Sequence, residues 1–249
     1  MKSAHCQIKA KYSVDAIDIF RINSKTFYFA SIFLGNSITK KAARLYQFCR
    51  LIDDIADKTQ DYSLAIKEIN LFKHDIQSGF SNHPVISDLL DLIHDKKLDH
   101  EAINSLISGI LSDLSTVRIQ NEDELLEYCY KVAGTVGILM CPILGAKDSS
   151  ACSFAADLGI AMQLTNICRD IKEDAINNRI YLPSILINTD NSRLLIEAPD
   201  KSGIDARIAC AKLLKLADKY YKRSEYGLAY HPFRSKICVL IAGRSYREI

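Results

Sequence analysis

Two acidic clusters carry the chemistry that this chain can offer. Asp53-Asp54-Ile55-Ala56-Asp57 and Asp170-Ile171-Lys172-Glu173-Asp174 each place carboxylates four residues apart within helical sequence. On an α-helix that spacing points Asp53 and Asp57 together, and likewise Asn166, Asp170 and Asp174. Like charges so placed repel, and burying unpaired carboxylates costs several kcal/mol each unless a cation neutralises them. Hard oxygen donors suit Mg²⁺, which takes one or two carboxylates and completes its shell with water and phosphate oxygens. The spacing therefore predicts two acidic helices facing each other, with a diphosphate bridged between them by Mg²⁺. Cations lie beside both clusters. Tyr46, Arg50, Asp53 and Asp57 share one helical side, and Arg169 adjoins Asp170. A single Arg/Asp cluster reads as a solvated face stitched by ion pairs; two such clusters inside apolar helices do not.

The elements that must position these groups are helices. The periodicity predicts them over 15–34, 38–58, 62–78, 84–95, 99–115, 122–146, 150–176, 204–227 and 233–247. Pro84, Pro183, Pro199 and Pro232 fall at breaks, while Pro142 falls inside a helical stretch, where a kink is expected. Residues 188–203 read as the one long loop. No shift of composition marks a boundary, so 1–249 is expected to form a single all-α domain.

Bulk properties exclude several classes. A formal charge of +2 gives no basis for nucleic-acid binding. The eight cysteines include no CxxC and no histidine at zinc spacing, which predicts reduced thiols in a cytoplasmic protein. Met1 to Cys6 lacks a signal-peptide core, and no apolar run reaches the roughly 20 residues needed to span a bilayer.

The longer segments around the acids resemble a known family. Tyr46 through Asp57 is similar to the first signature of the squalene/phytoene synthases. Leu158 through Ala175, continuing to Arg179-Ile180-Tyr181-Leu182-Pro183, resembles the second. Ser24-Lys25-Thr26-Phe27-Tyr28 matches the N-terminal serine-rich motif, and Tyr128 through Gly137 the central helix. The resemblance implies a helical bundle of the prenyl-synthase type with a central cavity. It also implies Mg²⁺-dependent (or Mn²⁺-dependent) head-to-head joining of two prenyl diphosphates through a cyclopropylcarbinyl diphosphate. On that basis Asp53, Asp57, Asp170 and Asp174 are expected to hold metal, with Asn166 adding a neutral oxygen. Ser24 belongs to the phosphate-binding motif, and Arg50, Arg169 and Lys25 are expected on phosphate oxygens. Tyr46 and Tyr128 are candidates beside the reacting carbons, or else core tyrosines with satisfied hydroxyls.

Small residues admit two readings. Val132, Ala133, Gly134 and Gly137, with Ala155, Ala156, Gly159 and Ala161, would give tight helix contact, a groove for a prenyl chain, or both; Gln163 would stand at its head end. Ser31 and Ala43 are small where the far end of such a groove would lie. If they line it, geranylgeranyl tails fit and phytoene is the expected product; if they face other helices they say nothing about substrate. The enzymatic alternative takes farnesyl diphosphate to presqualene diphosphate, squalene or dehydrosqualene, with NADPH needed only for squalene. A non-catalytic assembly protein of the same fold would have no need of four retained aspartates, and an apolar groove suits hydrolysis poorly. An insoluble product is compatible with peripheral attachment to the inner face of a membrane; oligomeric state stays open. Two departures from the family pattern stand out. Asn23 occupies a position where many relatives have histidine, and Ile249 comes about one helix earlier than is usual, so that either the sequence is truncated or Arg244 or Arg247 stands in for the phosphate-binding arginine that the further helix can supply.

Overall fold

A computed structural model describes residues 12, 15–59, 61–187, 189, 191–197 and 202–249. The expectations for Met1 to Cys6 and for Pro199 lie outside these residues. Helices account for nearly all the regular structure: α1 (Ala16–Asn23), α2 (Lys25–Ser31), α3 (Asn36–Lys58), α4 (Tyr62–Ser78), α5 (Pro84–Lys96), α6 (His100–Ser112) and α7 (Glu122–Cys129). A π-helical turn (Tyr130–Gly134) joins α7 to α8 (Thr135–Ile143). Then come α9 (Ala151–Arg169), α10 (Ile171–Ile176), α11 (Ser184–Ile187), α12 (Ser192–Glu197), α13 (Ser202–Ser224), a 3-10 turn (Glu225–Tyr230) and α14 (Phe233–Arg247). Among the described residues the only β pairing is an isolated bridge between Arg118 and Ile180. No described helix is long and apolar enough to cross a membrane.

Side-chain caps set several helix starts. Asp15 accepts from Ile17 N at 2.7 Å, Asp61 from Ser63 N at 2.9 Å, Asp99 from Glu101 N at 2.8 Å and Asn121 from Glu124 N at 2.9 Å. Pro84 opens α5, where its missing N–H costs nothing. Gly79, at φ +74°, ends α4 in the left-handed conformation that glycine adopts without strain.

Three expected helices are interrupted. The 15–34 segment breaks at Ser24, whose hydroxyl caps α2 by accepting from Phe27 N at 3.4 Å. The 122–146 segment is irregular at the π-helical turn; Pro142 lies in the last turn of α8, and Gly145 (φ +80°) follows three residues after it, so the proline marks an end more than a kink. The 150–176 segment breaks at Asp170. The 188–203 stretch, expected as loop, contains α12 and the start of α13.

Two large apolar clusters hold the bundle. In one, Leu45, Phe48, Leu51, Ile52 and Ile55 of α3 pack among α4, α5, α6 and α8. In the other, α9 lies along α13 and contributes Ile160, Leu164 and Ile167. Consequently α3 and α9, the bearers of the two acidic clusters, are each fixed along their length by core on one side. Gly137 brings α8, and Gly159 the π-helical turn, into backbone contact across the α9 interface: a Cβ on Gly137 would stand 2.6 Å from the carbonyl carbon of Ala155, and one on Gly159 2.6 Å from that of Ala133.

Candidate active site

On α3, Arg50 reaches two acids: Nη1 to Asp53 Oδ2 at 2.9 Å and Nη2 to Asp54 Oδ1 at 2.7 Å. Asp54 is fully buried and also accepts from Lys58 Nζ at 2.8 Å and from the Tyr12 hydroxyl at 2.9 Å. Its charge is thus consumed internally, and it anchors the helix while Asp53 and Asp57 face outward from the core. Asp57 accepts from Arg179 Nη1 at 2.7 Å, a contact between residues 122 positions apart. That ion pair ties the first acidic helix to the segment that follows the second.

The second cluster sits at a helix junction. Asp170 ends α9 and begins α10 with φ −100° and ψ 11°. The i to i+4 register survives the break, since Asp170 N bonds Asn166 O at 2.8 Å and Asp174 N bonds Asp170 O at 2.9 Å. Arg169 grips Asp170 in bidentate fashion, Nε to Oδ1 at 2.7 Å and Nη2 to Oδ2 at 2.6 Å.

The electrostatics link the clusters. Burial, then Asp57, then lesser acids including Asp113, push the Asp53 carboxyl up to about 6 against the pull of Arg50. Burial and then Asp170 push Asp174 up to about 7, with Arg179 opposing and Asp113 adding to the rise. Asp113 itself is raised to about 6, first by burial, with Asp57 also contributing. Acids from both signatures therefore sense the same intermediate group, and Arg179 lies among them. Such a set of crowded, partly desolvated carboxylates favours a cation. Two buried polar atoms nearby lack hydrogen-bond partners: the amide oxygen Oδ1 of Asn166 and Nε of Arg50. One is a neutral oxygen donor of the kind that a hard metal takes, the other a donor of the kind that a phosphate takes. Among the described residues no three His, Cys, Asp or Glu side chains converge into a ready-made cage; Arg50 holds Asp53 and Asp54, Arg169 holds Asp170 and Arg179 holds Asp57. The donor chemistry fits a hard divalent cation shared with a ligand's oxygens.

One helical turn from Asp53 and Asp170, at Cys49 and Asn166, begins a cavity of about 320 Å³, walled by α1, α2, α3, the π-helical turn, α8, α9, the end of α13, the 3-10 turn and α14. A volume of this size falls at the lower end of ordinary ligand pockets. Its lining is largely apolar, with Gln163 and Asn166 among its few polar side chains.

A model of the squalene/phytoene synthases matches residues 20–249. The chain belongs to that family. Among its relatives, 15-cis-phytoene synthase of Enterobacter agglomerans is 30% identical over 246 residues, spanning 92% of this chain and 81% of that protein. Phytoene synthase of Thermus thermophilus is 32% identical, spanning 93% and 79%. 4,4'-diapophytoene synthase of Staphylococcus haemolyticus is 30% identical, spanning 93% and 83%. The fold matches solved structures: a dehydrosqualene synthase with bound ligand (TM-score 0.83, 24% identity, 99% of this chain and 87% of that one) and a squalene synthase of Alicyclobacillus acidocaldarius (TM-score 0.80, 21% identity, 98% and 92%). The all-α prenyl-synthase architecture expected from sequence is the one observed.

Within this family member, Tyr46, Ser31, Val132, Ala133, Gly137, Gln163 and Asn166 line the cavity. Ala43 does not. It is fully buried, and its neighbour Ala42 lines the cavity instead. One residue along a helix is a turn of about 100°, enough to exchange cavity for core. Gly137 and Gly159 both line the cavity and carry the backbone contact, so the two readings of the small residues hold together. Ser24 caps α2, and Lys25 is exposed beside it. Burial pushes the Tyr46 phenol up to about 12, which keeps it protonated. Tyr128 lies outside the lining; its hydroxyl donates to Asp113 at 2.9 Å. Asn23 uses its amide to donate to Ile19 O at 2.7 Å. Of the late arginines, Arg247 pairs with Asp218, and Arg244 is exposed.

Sequence reasoning assigned no role to Asp113, Arg179, Tyr181 or Tyr246. Arg179 and Tyr181 stood inside the second signature, and that was the available signal. Tyr246 lines the cavity and stacks on Phe27 with centroids 5.2 Å apart. Asp113 carried no signal at all.

Proposed function

We propose that this chain joins two prenyl diphosphates head to head, taking two geranylgeranyl diphosphates to phytoene through a cyclopropylcarbinyl diphosphate. The observation that carries the reading is an apolar cavity whose head end is bounded by two acidic signatures. The similarity to proteins named phytoene synthases supports the geranylgeranyl choice.

Asp53, Asp57, Asn166, Asp170 and Asp174 would hold Mg²⁺ or Mn²⁺, which when bound supplies Lewis-acid stabilisation to the departing diphosphate. Arg50, Arg169 and Lys25 bind phosphate oxygens, the guanidiniums as planar forks and Lys25 as a point charge. Ser24 helps to form that phosphate-binding end. Gln163 orients the head of the chain where polar lining gives way to apolar. Tyr46 presents its ring to passing positive charge, and the apolar walls exclude the water that would quench a cation. Ser31 sets the far end. Proton loss ends the reaction at phytoene without a reductant, whereas squalene would require NADPH.

A farnesyl-using reading is favoured by the relative named 4,4'-diapophytoene synthase. Incubation with Mg²⁺ and each diphosphate, with and without NADPH, separates the two by the hydrocarbon formed. Phytoene from geranylgeranyl diphosphate without NADPH is expected; no hydrocarbon from either substrate overturns the proposal. Asp53→Asn and Asp170→Asn are expected to abolish turnover while leaving the helical spectrum intact. We also propose loose attachment to a membrane's inner face, supported by exposed Ile22, Phe29, Ile32 and Phe33 on and beside the helix that walls the cavity.

A further inference from the structure

Asp113 caps the C-terminus of α6, outside both acidic signatures. Its carboxylate accepts from two phenols at once, Oδ2 from Tyr128 and Oδ1 from Tyr181, each at 2.9 Å. The two rings stack with centroids 4.8 Å apart and 27° between planes. Tyr181 is delivered to this point by backbone pairing on either side of Ile180, Ile180 N to Val117 O at 3.2 Å and Ile119 N to Ile180 O at 3.4 Å. The cluster sits at the junction of cavity and acids. Tyr128 is one helical turn before Val132, which lines the cavity, and Tyr181 is two residues after Arg179, which binds Asp57.

We propose that Asp113 is a positioning residue for the coupling reaction: by taking both phenolic hydrogens, it locks the Tyr128–Tyr181 pair behind the cavity wall at Val132, with no O–H free to turn toward the substrate. The proposal rests on the prenyl-coupling reading above. A phenol whose hydrogen is committed to a carboxylate cannot turn that hydrogen toward a positive centre. Its oxygen is left as an acceptor, made more electron-rich by the charge-assisted bond. That arrangement suits carbocation chemistry in the neighbouring cavity, since an O–H dipole turned toward it would oppose the developing charge. Stacking on Tyr181 removes the remaining freedom of ring rotation. The side chains are contributed by three separate segments, so the arrangement is a product of the tertiary fold.

The test is a double-mutant cycle on the full chain with Mg²⁺ and geranylgeranyl diphosphate. Wild-type hydrocarbon formation checks the functional reading by itself. Asp113→Asn keeps the shape of the side chain, but its amide donates, so one phenol must turn its hydrogen away. A loss of about 30-fold or more in kcat is expected, with KM changed by less than about threefold, and Asp113→Asn/Tyr128→Phe no slower than Tyr128→Phe alone. An Asp113→Asn enzyme within about threefold of wild-type kcat, or a double variant whose loss is the product of the two single losses, overturns the proposal. Should Asp113→Asn fail to fold, Tyr181→Phe removes one bond and keeps the carboxylate. A several-fold loss in kcat at unchanged KM is then expected, and wild-type kcat overturns the proposal.

Discussion

Gly137→Ala tests whether the cavity is held open by the direct contact of two helix backbones. The added methyl would stand 2.6 Å from the carbonyl carbon of Ala155 and nearer still to its oxygen. Carbon atoms rest at about 3.5–4.0 Å, so α8 and α9 must separate by about 1 Å. The opposing atoms belong to backbone, and no rotamer change relieves them. Overpacking of this kind costs about 1–3 kcal/mol, and the upper figure applies here. Against it stands a gain of about 1 kcal/mol in helix propensity, leaving a net loss of about 2 kcal/mol. For a chain of this size each kcal/mol moves Tm by about 2–4 °C, so a fall of about 4–8 °C is expected in thermal unfolding followed by far-UV circular dichroism. Gly243→Ala is the control. Its methyl would meet only Leu158 Cδ1, at 3.3 Å, and that side chain can turn aside; its Tm should not fall. A Gly137→Ala protein as stable as wild type would refute the backbone-contact argument.

The carboxyls of Asp53 and Asp174 are raised to about 6 and about 7. Between the unfolded-state value near 4 and these values the folded chain therefore binds more protons than the unfolded one, and stability falls as pH rises through that window. Without divalent cation, Tm should decline from about pH 5 to pH 8, and added Mg²⁺ should flatten the decline; a Tm that rises over this range would contradict the assignment. Asp157, almost fully buried, is paired with Arg223, whose side chain is half-exposed. Arg223→Ala strands that charge and is expected to cost about 2 kcal/mol, below the full buried-pair figure because one partner reaches water; chemical denaturation reads the loss. Ser31→Phe places a ring in the cavity wall and should lower turnover of geranylgeranyl more than of farnesyl diphosphate; an unchanged ratio in competition assays would remove Ser31 from the chain-length argument.

What could be read from sequence follows from the range of each interaction. Helix positions were legible because period and caps are local: Asp61, Pro84 and Asp99 sit within a residue or two of the expected starts. The breaks were less so. Ser24 and Asp170 interrupt helices in stretches whose apolar pattern runs straight through, and the π-helical turn at Tyr130–Gly134 packs on α6 and α9, contacts that the local sequence does not display. The acidic positions were legible for the same local reason, since i, i+4 carboxylates need no knowledge of the fold. Asp113 shows the limit. Alone in sequence it is one aspartate after an amphipathic helix; its partners lie 15 and 68 residues away, and Arg179 finds Asp57 across 122. Ala43 shows a different limit. A phase error of one residue converts a cavity wall into core, and periodicity alone does not resolve phase that finely. The positions that sequence misplaced or passed over therefore share a cause: each is defined by where two segments meet. It is at such meetings, Asp113 between α7 and the strand-like turn at Ile180, that the next determinants of the reaction should be sought.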